Sequence, residues 1–320
     1  MQLTVPLMRQ FCVAKNFKEQ EGSRINSFHF SWDGLTLISS SEDDQILIYD
    51  VEKGTQKRRV NSQKYGVDLI HFTHASNAAL HASTKRDDAI RYLSLHDNKF
   101  IRYFAGHSKR VTSLDLSPED DTFISGSMDH TVRLWDLRAA TCQGVMNVTG
   151  KPVVAFDPEG LVFSVGVQSE QVKLYDLRSY DKGPFVTFTL PQEKQCEWTS
   201  LRFSPHGKYI LLSTNGRVLR LLDAFNGTPL QTLSGHMNNK GVPIQGCFSP
   251  DSQFILSGST DGRIHVWKAD DGNKVCVLNG GHVGPVQCVE FNPSFMMMAS
   301  ACTHLNMWLP NVPQDVVAPS

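Results

Sequence analysis

Short runs of alternating apolar and polar residues, each bounded by turn residues, fill most of the chain. VTSLDLS (111–117) is followed by TFISGS (122–127), a tight turn at Met128-Asp129-His130, and TVRLWDL (131–137). Alternation with period two places one face of a segment in a core and the other in water, which predicts strands. No window sustains apolar residues at helical spacing over about ten positions, so helix is expected to be nearly absent.

The runs recur. An apolar residue followed two positions later by proline or another turn-forming residue appears in FSWDG (30–34), FTHAS (72–76), LSPED (116–120), FDPEG (156–160), FSPHG (203–207), FSPDS (248–252) and FNPSF (291–295). The first residues of these segments are separated by 42, 44, 40, 47, 45 and 43 positions. A second anchor follows each: Tyr49-Asp50, Tyr92-Leu93, Trp135-Asp136, Tyr175-Asp176, Leu222-Asp223, Trp267-Lys268 and Trp308-Leu309. Two anchors that keep one period define a repeated unit that buries its apolar faces against its neighbours.

A period near 43 residues, short strands in each unit, Gly106-His107 ahead of a first strand and Trp135-Asp136 closing a third resemble the WD-repeat family. The resemblance implies an all-β, seven-bladed WD40 β-propeller. The last unit ends after its third strand (305–310), which leaves one sheet edge unpaired. Residues 9–17 (RQFCVAKNF) align with the fourth-strand pattern around 98–104 but have no three strands before them, so an N-terminal strand is expected to complete the last blade. Residues 1–310 then form a single domain, followed by a flexible tail at 311–320.

Serine, histidine and aspartate recur together, the residue types of a nucleophile, base and orienting acid. Their periodicity argues for structure instead. His107, Ser125 or Ser127, Asp129 and Trp135 fall at the Gly-His turn, second strand, hairpin turn and third strand of one unit. His236, Ser257 or Ser259, Asp261 and Trp267 repeat the set. The family resemblance implies buried tetrads, with Trp donating to the hydroxyl, the hydroxyl to His and His to Asp. The last unit has His282 and Trp308 without an acid between Cys302 and Trp308, and the second has Tyr65-Gly66 where Gly-His is expected. Those two blades should be softer or differently supported. The chain carries no phosphate loop, no H-E-x-x-H and no G-x-S-x-G, so no catalytic, cofactor or metal residues are expected.

Composition narrows the class of partner. With 31 Lys+Arg against 32 Asp+Glu the net charge is -1, so no whole-protein field draws the chain to nucleic acid or acidic lipid. No apolar run approaches the ~20 residues of a membrane span. The first fifteen residues lack the basic segment and cleavage site of a secretory signal. Seven scattered cysteines without C-x-x-C fit a reducing compartment, cytosol or nucleus. Charge does gather locally. Loops before first strands and the hairpins between second and third strands supply Arg24, Lys64, Lys85, Arg86, Lys109 and Arg110 from three adjacent blades, with Tyr65 interleaved. This rim is a candidate site for a phosphorylated or acidic segment, against a bland reading as a solvated edge in which Asp87 and Asp88 offset Lys85 and Arg86. KRR (57–59), read as lying between third and fourth strands, resembles a minimal import run.

KYGVDLI (64–70), RYLSLHDNKFIRYF (91–104), VKLYDLRSYDKGPF (172–185) and CEWTSLRFS (196–204) carry a narrower resemblance, to the WD-repeat subunits of COMPASS-type histone lysine methyltransferase complexes. It implies a non-catalytic, chromatin-associated nuclear adaptor. The implied partners are the methyltransferase catalytic subunit, the serine-phosphorylated C-terminal domain of RNA polymerase II, and protein phosphatase one with its nuclear targeting subunit in transcription termination. Direct sequence-specific nucleic-acid binding is not expected. The alternative is a generic WD-repeat scaffold, such as a ubiquitin-ligase substrate receptor.

Overall fold

The computed structural model describes residues 2–18, 22–191 and 196–311. Its described strands form seven antiparallel four-stranded sheets, the blades of a β-propeller. Six blades are consecutive in sequence, with innermost strands Ile25–Phe30, Asp68–Phe72, Val111–Leu116, Val153–Phe156, Trp198–Phe203 and Gly246–Phe248. The seventh combines Cys288–Phe291, Met298–Ala301 and Leu305–Pro310 with Phe11–Phe17. Phe11 pairs with Pro310 and Phe17 with Leu305, so the N-terminal strand closes the ring as its alignment predicts. Of the expected tail, Asn311 donates to the Gln10 carbonyl at 2.9 Å; residues 312–320 lie outside the described residues.

The anchors have physical roles. Where a first strand turns into a second, Ser or Asp side chains bind the turn: Asp157 Oδ1 accepts from Val162 N at 2.8 Å, and Ser249 Oγ from Phe254 N at 2.9 Å. Trp135, Trp267, Trp308 and Tyr49 of the second anchor are fully buried, filling the wedge between one blade and the next. The hairpin between second and third strands needs one residue in the left-handed region, supplied by Asp44 (φ 64°), His130 (φ 63°) or Gly262 (φ 80°). A short type I turn closed by such a residue suits a strand hairpin.

Among the described residues, two elements depart from an all-strand reading. Val5–Arg9 forms a single helical turn, with Pro6 inside it and Thr4 capping its start, and Tyr180–Lys182 forms a 3-10 turn. Beside the first, Leu3 and Met8 are buried in the core of blades six and seven, and Leu3 N donates to Asp251 Oδ2 at 2.7 Å. The opening residues therefore clamp blade six as well as completing blade seven. KRR lies within the outer strand Thr55–Asn61, where Arg58 binds the Leu95 and His96 carbonyls of the next blade.

Candidate functional site: the upper rim and the channel

Antiparallel order puts the loops before first strands and the hairpins between second and third strands on one face, here the upper. In blade three the four predicted side chains meet there. Trp135 Nε1 donates to Ser125 Oγ (2.8 Å), whose hydroxyl donates to His107 Nε2 (2.8 Å), and His107 Nδ1 donates to Asp129 Oδ2 (3.0 Å). Ser127 is not part of the chain; it binds the Lys109 carbonyl. Burial alone would raise the Asp129 carboxyl, but hydrogen bonds from Thr131, Ser108 N–H and His107 outweigh it and hold it well below the usual carboxylate range. Burial lowers His107 despite that carboxylate. Every polar atom of the chain is thus engaged within its own blade, which is the arrangement of a register pin.

Blade six does not repeat this chain, contrary to expectation. His265 stacks on Trp267 with centroids 5.9 Å apart, and Trp267 Nε1 donates to the Ser234 carbonyl at 3.2 Å. Ser257 Oγ donates to the Gly258 carbonyl, and Asp261 accepts from Arg263 N at 3.1 Å. His236 keeps a buried Nδ1 without a hydrogen-bond partner, and burial holds it neutral, with its pKa pushed down to about 4. A second imidazole beside the indole thus goes with an opened circuit.

Blades two and seven are differently supported. In blade seven Trp308 donates to Ser300 Oγ (2.8 Å), Ser300 pairs with His282 Nε2 (2.7 Å), and Cys302 Sγ stands at 3.0 Å from His282 Nδ1 in place of the acid. His282, Cys302 and His304 bring three ligating atoms within 4.8 Å of one another. The two imidazoles, however, stack at 4.6 Å with 19° between planes, so their in-plane lone pairs do not converge on one point as a tetrahedral ion requires. In blade two Arg91 takes the central place: it grips Asp87 with two bonds (2.7 and 2.8 Å), binds Ser83, and lies 3.7 Å from the Tyr65 ring centre.

The structure places the six predicted cations on this face but pairs half of them. Arg24 bridges to Glu42 (2.6 Å), Arg110 to Asp68 (2.7 Å), and Lys85 to Asp44. Lys64 Nζ sits 4.9 Å from the Tyr65 ring centre. No ion pair among the described residues engages Arg86 or Lys109. Arg24 and Arg110, joined by Lys151 and by Gln287 with its buried, unpartnered Nε2, line a depression of about 430 Å³ at the upper mouth of the axial channel. Asp68 and Glu197 line the same depression. The sequence gives no hint of Gln287, because nothing in its local pattern says that its amide is left without a partner.

The comparisons with known proteins agree with this geometry. The profile described as "WD domain, G-beta repeat" matches residues 11–50, 98–136 and 227–268. WD repeat-containing protein 82 of Drosophila melanogaster is 67% identical over 95% of this chain and 96% of its own length. The chain belongs to the WD-repeat family, in the group that includes that protein. The COMPASS component SWD2 of Saccharomyces cerevisiae is 33% identical over 92% of the chain and 94% of its own length. The Set1 complex component swd2 of Schizosaccharomyces pombe is 37% identical over 81% of the chain and 74% of its own length. These alignments span 81 to 95% of the chain, far more than a blade or two.

Proposed function

We propose that this WD-repeat protein is a non-catalytic, chromatin-associated nuclear adaptor of a COMPASS-type histone lysine methyltransferase complex. The observation that carries the reading is the near full-length similarity to relatives named as COMPASS and Set1 complex components. Closed rings of strands that spend their recurrent Ser, His, Asp and Trp on internal hydrogen bonds act through their surfaces, which suits an adaptor. The same reading extends to two finer roles: binding the serine-phosphorylated C-terminal repeats of RNA polymerase II, and joining protein phosphatase one with its nuclear targeting subunit in termination.

The upper rim supports the first of these. Arg110 lines a depression together with Arg24, Lys151 and the spare amide of Gln287, and Lys109, Arg86 and Lys64 stand on loops of the same face. A phosphate brings about −1.5 to −2 charge and several acceptor oxygens to such a place. The carboxylates already paired there, Glu42, Asp44 and Asp68, limit the gain, since exposed pairs contribute only about 0.2–1 kcal/mol each. Binding should therefore be weak for one phosphate, salt-sensitive, and built up by several. Lys109→Glu with Arg110→Glu is expected to abolish binding of a multiply serine-phosphorylated polymerase repeat peptide in fluorescence anisotropy, with an unchanged melting curve. Undiminished binding by the double variant dismisses the rim, and equal binding of the unphosphorylated peptide dismisses phosphate reading.

A further inference from the structure

The residue one position before each repeat anchor forms a ring around the lower part of the axial channel: His29, His71, Asp115, Ala155, Arg202, Cys247 and Glu290. All but Cys247 line a cavity of about 220 Å³, with Ser200 among its further lining groups. Arg202 Nη1 lies 3.6 Å from Glu290 Oε1, which is 4.0 Å from His29 Nε2. His29 and His71 lie with ring centroids 4.7 Å apart and planes tilted by 44°, and burial pushes His29 down to about 3 and His71 well below its ordinary value, so both are neutral. Cys247 is a neutral thiol, raised by burial to about 12. Asp115 and Glu290 thus face a single permanent cation. Burial raises Asp115 to about 6 and Glu290 to about 7, and Glu290 Oε2 and Ser200 Oγ are buried without hydrogen-bond partners. The ring is one cation short.

Below the ring the surroundings turn apolar. The lower mouth is lined by Pro118, Pro158, Pro205 and Trp32, the last 42% exposed. It shares Asp115, Phe156 and Phe203 with the cavity above. It also shares Pro158, Phe203 and Pro205 with a groove of about 660 Å³ between blades four and five. Phe225 and Phe185, 88% and 60% exposed, stand over that groove. An apolar sleeve ending on carboxylates matches a long side chain with an aliphatic stem and a cationic head.

We infer that the lower face is a second docking site, which takes an extended partner segment by its arginine or lysine in the channel and by an apolar side chain in the Phe185–Phe225 groove. This site is on the face opposite the cationic rim, and nothing in it depends on phosphate recognition. An adaptor with both could hold two partners at once.

The probe is an acetylated, amidated tetrapeptide, phenylalanine first and arginine last with two serines between, together with its reversed sequence. Binding to the full chain is followed by methyl NMR at Leu201 and Leu114 in the channel, Val162 and Leu174 in the groove, and Met128 on the upper face. Shifts are expected at the channel and groove methyls with at least one peptide order. Citrulline in place of arginine should weaken binding roughly tenfold, and so should Glu290→Gln. Phe225→Ser, at a residue almost fully in solvent, should weaken it without touching the fold. Arg202→Gln removes the competing cation and should tighten binding, an outcome that mere structural damage does not produce. Because the carboxylates must lose their protons to receive a cation, affinity should rise from about pH 5.5 to about pH 7.5. Equal binding of the citrulline peptide, weaker binding by Arg202→Gln, shifts confined to Met128, or no shifts with either peptide order would each overturn the inference.

Discussion

Deleting residues 2–17 should abolish the folded ring outright. That segment buries Leu3, Met8, Phe11 and Phe17, each at most 4% exposed, between blades six, seven and one. Full burial of such a side chain stabilises by roughly 1.5–3 kcal/mol, so the four together contribute on the order of 10 kcal/mol. A domain's whole stability is only about 5–15 kcal/mol. The deletion also strips Leu305–Pro310 of its partner strand, leaving an apolar edge open to pairing with other chains. Aggregation on expression, or loss of a cooperative transition in scanning calorimetry, is the expected outcome. A soluble monomer with an unchanged melting curve would show that the ring does not need its closing strand.

His107→Ala should cost about 3 kcal/mol. It removes the hydrogen bonds to Ser125 and Asp129, with a longer contact to Thr131, and leaves the Ser125 hydroxyl and the Asp129 carboxylate short of a buried partner. His236→Ala should cost less, about 1–2 kcal/mol, because His236 is not joined to Ser257, Asp261 and Trp267 in the same way. Urea midpoints of the two variants measure the difference directly, and equal losses would contradict the assignment of a pinned chain to blade three alone of this pair. The pH dependence has a definite sign. Asp129 is depressed in the folded state, so its stabilisation is fully present above the ordinary value of 3.8 and is lost as pH falls below it. His107→Ala should flatten that acid limb.

The sequence makes the ring legible because blade number and closure are carried by residues close in the chain: the turn after each first strand, the aromatic ending each third, and one strand pattern without its three predecessors. Less local features escape it. The blade-six circuit opens beside His265, where the Trp267 indole turns to the Ser234 carbonyl, 33 residues away along the chain. The rim's cations look available because Glu42, Asp44 and Asp68, which neutralise three of them, stand 18 to 42 residues away along the chain. The burial of Leu3 and Met8 has no local signal, since the blade-six surface that covers them is made by residues from 247 to 278. The channel ring occupies a single repeat position, but that position comes to face the axis, with too few cations, only in the folded ring.

The most direct test of the account is affinity purification from nuclear extract with quantitative mass spectrometry, run on the wild-type chain and on Lys109→Glu with Arg110→Glu. A surface-acting adaptor with a phosphate-reading rim predicts a histone methyltransferase catalytic subunit bound to both, and phosphorylated RNA polymerase II bound to the wild-type chain alone. Recovery of cullin adaptors in place of the methyltransferase, or polymerase retained equally by the double variant, would contradict it.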